Sequence, residues 1–173
     1  RVTVNEKGLT ETLLCLGADL EPVLCNEGYA SWRQEFDVRG NCTRIVFCQA
    51  DCTTPLMQPE GYAGWKLAYN ENGEVVEQSY FNDKNEPCED VNGVFRWVAT
   101  YNDRGNRLSY RNYDLDGKLV LQDGKAGEDY QFDERGNLLE TKPIGSDGKP
   151  SSDYLIIRYK YDDHDNVVEE ALF

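Results

Sequence analysis

Six strings of one pattern recur along this chain: VNEKGL from Val4, FDVRGN from Phe36, YNENGE from Tyr69, YNDRGN from Tyr101, FDERGN from Phe132 and YDDHDN from Tyr161. Their first residues lie 32, 33, 32, 31 and 29 positions apart. A nearly fixed period of that length makes each unit one supersecondary element, which cannot bury its apolar side alone and has to lean on its neighbours. Residues 1–173 therefore read as a single repeat array with units opening near 4, 36, 69, 101, 132 and 161, and the second to fifth copies are expected to form its rigid centre. The partial units at both ends, and Arg1 where a start methionine would stand, predict a segment of a longer protein.

Each string has Asp or Asn at its second place, and all but the last have Gly at the fifth. This is the chemistry of a type I turn, in which the acidic or amide side chain caps the turn and glycine takes the left-handed conformation that builds a bulged hairpin. Asp165 replaces the glycine in the last copy. Asp tolerates positive φ better than most residues, so that turn is expected to survive with some strain.

The flanks read as strands. Trp32, Gln34 and Phe36 share one face by alternation, as do Trp65, Leu67 and Tyr69, and Trp97, Ala99 and Tyr101. After each turn an apolar column recurs at Leu16, Cys48, Phe81, Tyr113, Ile144 and Phe173. A second turn follows at GADLEP from Gly17, NDKNEP from Asn82, DLDGK from Asp114 and GSDGKP from Gly145, and EGYA recurs at Glu27 and Glu60. Leu9 to Leu16 has helical propensity, but its alignment with five strand copies overrides it. Pro143 cannot donate to a ladder, so its strand is expected at an edge or at a bulge. The fold class is all-β: tandem antiparallel β-hairpin repeats forming an elongated meander or solenoid-like sheet.

Composition narrows the function. An apolar content of 39% with 12% aromatics suffices for a core. A net charge of −14 repels phosphate backbones and anionic lipid, which argues against nucleic-acid or membrane-surface partners. No apolar run approaches the ~20 residues that span a bilayer, so no membrane insertion is expected.

No catalytic constellation emerges. His164, the one histidine, occupies a variable turn position and reads as solvated rather than as a general base. DLDGK and GSDGK have the look of calcium loops, yet counting from Asp114 the place of the closing bidentate Glu holds Lys125, so the turn reading wins and no metal or other cofactor is expected. The cysteines, Cys15, Cys25, Cys42, Cys48, Cys52 and Cys88, show no CxxC pair, which disfavours zinc. Disulfides and free buried thiols are both open, and spacing selects no pairing; Cys48 stands in the apolar column as a small core residue. Trp32, Trp65 and Trp97, with Tyr29 and Tyr62, are the ligand-binding candidates, since flat rings spaced along a sheet suit a sugar or a protein hot spot. Packing between units demands the same pattern, and the core reading is the favoured one.

FDVRGN, YNDRGN, FDERGN and YDDHDN resemble the YD, or RHS-like, tandem repeats of bacteria, whose unit is an aromatic, Asp, two variable residues, Gly and Asn. The longer EGYA, Trp, Tyr-Asn-x-x-Gly arrangement is similar to long repeats in proteins of gut-type bacteria. This resemblance implies extended sheets, which in large toxins spiral into shells around a cargo and elsewhere serve adhesion or carbohydrate binding. The period of about 32 residues exceeds the usual YD unit and implies an extra segment per unit, and the self-cleaving core that follows the toxin shells is absent from this stretch.

The expected function is a non-enzymatic structural scaffold or binding and adhesion module of a larger bacterial protein, outside the cell or on its surface, with a protein or glycan as partner. A carbohydrate-active enzyme using clustered carboxylates, or a passive spacer, is the alternative.

Overall fold

The computed structural model describes residues 1–173. Its regular structure consists of twelve strands: β1 (Val2–Val4), β2 (Thr10–Leu14), β3 (Ser31–Phe36), β4 (Cys42–Cys48), β5 (Gly64–Tyr69), β6 (Val75–Phe81), β7 (Arg96–Tyr101), β8 (Arg107–Tyr113), β9 (Gly127–Phe132), β10 (Leu138–Ile144), β11 (Ile157–Tyr161) and β12 (Val167–Leu172). They follow chain order in one antiparallel sheet, as the repeat required. The Leu9–Leu16 stretch is strand, with β2 inside it.

The turn chemistry operates as the strings dictate. At the first hairpin the Gly8 amide donates to the Asn5 carbonyl and the Asn5 amide to the Leu9 carbonyl, both at 2.9 Å. The Asn5 side-chain oxygen accepts the amides of Lys7 and Leu9. Asp37, Asn102, Asp133 and Asp162 repeat this pair of side-chain bonds. Pairing skips one residue beside the turn, between Glu35 and Phe36, Thr100 and Tyr101, and Lys160 and Tyr161, which is the bulge. Asp165 does sit at φ 63°, and its carboxylate accepts Arg135 and Asn137 from the preceding hairpin turn, contacts that help hold the left-handed backbone.

Each period holds more than one turn, which accounts for its length. The second turn puts its fourth residue in the left-handed region at Leu20 (φ 66°), Cys52 (φ 60°), Asn85 (φ 65°), Gly117 and Gly148. The turn ending at Cys52 has no glycine to announce it. A third turn closes at Gly28 and Gly61, whose amides reach the carbonyls of Cys25 and Gln58. Column residues Leu16, Cys48, Phe81 and Ile144 bridge Pro22, Pro55, Pro87 and Pro150, so the second turn folds back onto the strand end. A leucine at positive φ crowds its Cβ against the backbone, and the Leu20 side chain is 72% exposed, with no packing to lose. Leu20→Gly is therefore expected to raise stability by about 0.5 to 1 kcal/mol in a urea melt.

The chain divides into two compact units, Arg1–Ala68 with Gln78–Val91, and Tyr69–Glu77 with Asn92–Phe173. In the first, the buried cluster is Val46, Cys48 and Phe81, contributed by two successive hairpins. Phe81 reaches across β5 because Gly64 has no side chain: a Cβ there would lie 2.7 Å from the Phe81 ring. Arg44 caps that ring at 4.6 Å. In the second unit Val94, Ala99, Ala126 and Ile144 are buried. Ala30, Ala63 and Ala126, each just past a turn, are buried at matching places.

The tryptophan column does not form this core. Trp32, Trp65 and Trp97 are half-buried, and the interior belongs to smaller residues and the apolar column. Pro143 stands in an inner strand, β10 lying between β9 and β11 rather than at an edge, and of the two expectations it is the bulged strand that is met, since the pairing of β10 with β9 shifts between Leu138 and Glu140. The matching residues Phe47 and Asn112 donate their amides to the carbonyls of Ala63 and Ala126, which lead into the following hairpin. Proline has no amide to give, and β10 pairs β11 only through Glu140 and Thr141, whereas β8 pairs β9 through three residues. Hydrogen exchange at the amides of the β10–β11 seam is expected to outrun that of the β8–β9 seam at least tenfold.

Candidate functional site: an aromatic strip on one face

Strand alternation and register bring five rings into a chain. Trp32 pairs directly with Phe47, and Ile45, two residues before Phe47, pairs with Trp65, so all of these share a face. Tyr29 lies 4.9 Å from Phe47, Phe47 meets Trp65 edge-on at 5.4 Å, and Trp65 meets Tyr62 edge-on at 5.8 Å. Tyr62 and Tyr80 then stack at 4.5 Å with their planes 7° apart. Tyr29, Tyr62 and Trp65 thus come together as ring neighbours, while Trp32 joins through its cross-strand partner Phe47. Trp97 faces Asn112 in the second unit.

Phe47 and Tyr80 escaped the sequence reading. Each stands one residue before the apolar column, at Cys48 and Phe81, and the pleat turns it to the opposite face. The signal was the doublet FC and YF at the strand end, read for its second member alone.

All five rings are half-buried. Burial pushes the Tyr29 hydroxyl up to about 12, helped by the neighbouring Cys25, and pushes Tyr80 up to about 12, helped by Tyr62. The strip is uncharged at neutral pH. It offers flat π faces and hydroxyl donors, which suit the apolar faces of sugar rings or the side chains of a protein.

In the second unit the same positions carry charge. Glu128 accepts the Tyr130 hydroxyl at 2.7 Å and pairs with Lys125 at 2.7 Å, while Arg107 donates to the Tyr130 oxygen at 3.2 Å and lies over the rings of Tyr110 and Tyr130. Burial and the bond to Glu128 raise the Tyr130 hydroxyl, and burial raises Tyr110. Lys125, the residue weighed against a calcium loop, is a partner of Glu128 here, and Asp114 uses its carboxylate on the Lys118 amide. His164 is an exposed turn residue whose amide donates to Asp162.

The opposite face carries ion pairs, both between neighbouring strands and along one strand. Arg96 meets Glu77 at 2.9 Å, and the buried Glu140 takes Arg158 at 2.6 Å and Lys142 at 3.0 Å. The bonds from Arg158 and Lys142 hold the Glu140 carboxyl below its ordinary 4.5. A depressed carboxylate stabilises the fold above its unfolded pKa and loses that contribution as pH falls through the lower folded value. Stability should therefore fall on acidification below about pH 4.5, and less steeply in Glu140→Gln, as followed by urea midpoints across that range.

No model of a known protein family matches the chain, and no curated protein matches it. Solved structures do. A crystal structure of TcdB2-TccC3-Cdc42 matches with a TM-score of 0.59 at 18% identity, covering 98% of this chain and 7% of that one. A Photorhabdus luminescens Tc holotoxin pore with a TccC3 mutation matches with a TM-score of 0.60 at 18% identity, over the same shares. A crystal structure of TcdB2-TccC3 without the hypervariable C-terminal region gives a TM-score of 0.58 at 17% identity. The likeness is one of fold, and this chain spans about 7% of the length of those it matches.

Proposed function

We propose that this chain is a non-enzymatic scaffold segment of a larger bacterial protein, displaying the aromatic strip on one sheet face to a protein or glycan partner outside the cell. The carrying observation is the continuous run Tyr29, Phe47, Trp65, Tyr62 and Tyr80, whose half-buried rings span successive hairpins. A ring serving only as filler belongs inside, and the interior is already occupied by Val46, Cys48 and Phe81. Supporting the scaffold half are the packing of Phe81 against Val46 and Cys48 of the preceding hairpin and the likeness of fold to a stretch of the Tc toxin chains.

The test is a glycan array together with a panel of surface proteins, followed by titration of any hit against Trp65→Ala and Tyr62→Phe. Recognition through the strip predicts at least a tenfold loss of affinity in Trp65→Ala with the fold retained. A screen without hits, or a hit indifferent to both substitutions, overturns the recognition half.

A further inference from the structure

The first unit carries a cluster of thiols that the aromatic strip does not use. Cys15 follows β2 and donates its amide to the Ala30 carbonyl at 2.8 Å; Cys25 donates its own to the adjacent carbonyl, Tyr29, also at 2.8 Å. The Cys15 carbonyl accepts the amide of Val23, two residues before Cys25. Three backbone bonds thus suspend both cysteines from one short stretch of chain. The Cys25 side chain lies beside the Cys15 thiol, the Tyr29 hydroxyl and the Glu27 carboxylate. Both cysteines are partly accessible.

The place is one where the fold lacks packing. In the next hairpins the position of Cys15 is filled by Phe47 and Tyr80, which anchor the strip. At Cys15 the ring is missing, and the loop beyond it exposes Leu20 and Leu24, at 72% and 65%. A covalent link there would tie down a segment that ring packing does not hold.

We propose that Cys15 and Cys25 form a disulfide in an oxidising compartment, stapling the loop between them to the end of β2. Formation proceeds by exchange with a small-molecule disulfide such as oxidised glutathione. One protein thiolate attacks it, forming a mixed disulfide and releasing one glutathione thiolate. The second protein thiolate displaces the other glutathione, so two protein thiols are oxidised, one disulfide is reduced, and the two protons end on two glutathione thiols. Burial and the contact with Cys25 raise the Cys15 thiol, so its thiolate is scarce at neutral pH and exchange is expected to quicken as pH rises.

The full chain would be incubated with oxidised glutathione, blocked with iodoacetamide and digested with trypsin, which leaves both cysteines in the peptide from Gly8 to Arg33. The expected product is that peptide free of alkylation and about 2 Da lighter than its reduced form, with a thermal midpoint raised by roughly 5 °C and both changes reversed by a phosphine reductant. Cys15→Ser and Cys25→Ser should each halt at the glutathione adduct. Alkylation of both cysteines after oxidation, a stable mixed disulfide in the unsubstituted chain, or a bridge to Cys42, Cys48, Cys52 or Cys88 would overturn the assignment.

Discussion

Phe81→Ala is expected to destabilise the first unit by about 3 to 5 kcal/mol, the range for emptying a large aromatic site that cannot collapse. Phe81 is 2% exposed and lies against Val46 and Cys48 of the preceding hairpin. The ring passes over Gly64, where the backbone of β5 forms the floor, so the residue beneath the ring has no side chain to swing into the void. Arg44 at 4.6 Å and Lys66 at 5.9 Å also lose the face they cap. A urea melt read by tryptophan fluorescence reports the loss. Val38→Ala, at a side chain 91% exposed, should move the midpoint by less than about 0.5 kcal/mol. If both substitutions cost the same, the hairpins do not cohere through this ring.

Gly127→Ala should be comparably severe in the second unit, by a different mechanism. Gly127 pairs with Arg111 across the β8–β9 seam, and a Cβ on it would overlap the Tyr110 carbonyl oxygen and lie 2.9 Å from the Arg111 side chain. The obstacle is backbone, which moves only by parting the two strands, so a loss of about 3 kcal/mol or more is expected. Gly117→Ala is the control. Gly117 has φ +78° with nothing nearby for a Cβ to meet, and only the conformational penalty of about 1 kcal/mol applies. Hydrogen exchange separates the cases, since Gly127→Ala should accelerate both strands of the seam and Gly117→Ala the turn alone.

The contrast shows what could be read in advance. Hairpin turns were legible because Asp or Asn and Gly are the residues that geometry demands, and Asn5, Asp37 and Asp133 supply the bonds their positions foretold. Strand alternation located the ring face. It left open which side would be covered, because both faces carry long side chains and burial depends on what the next hairpin lays across. The small residues Gly64 and Ala63 decide that, and they are mute in a hydrophobic pattern. Cys52 hid its turn by adopting a backbone that composition assigns to glycine. For the candidate site, Tyr29, Tyr62 and Trp65 were found, whereas Phe47 and Tyr80 were obscured by their apolar neighbours.

A sheet in which every rung is alike shares strain evenly; one with a rung removed does not. By withholding a single donor, Pro143 makes the joint between β10 and β11 the place where pulling along the chain first prises strands apart. Strands β11 and β12 would peel away as one flap, still closed on each other through five paired residues, while the hairpin behind them stays shut.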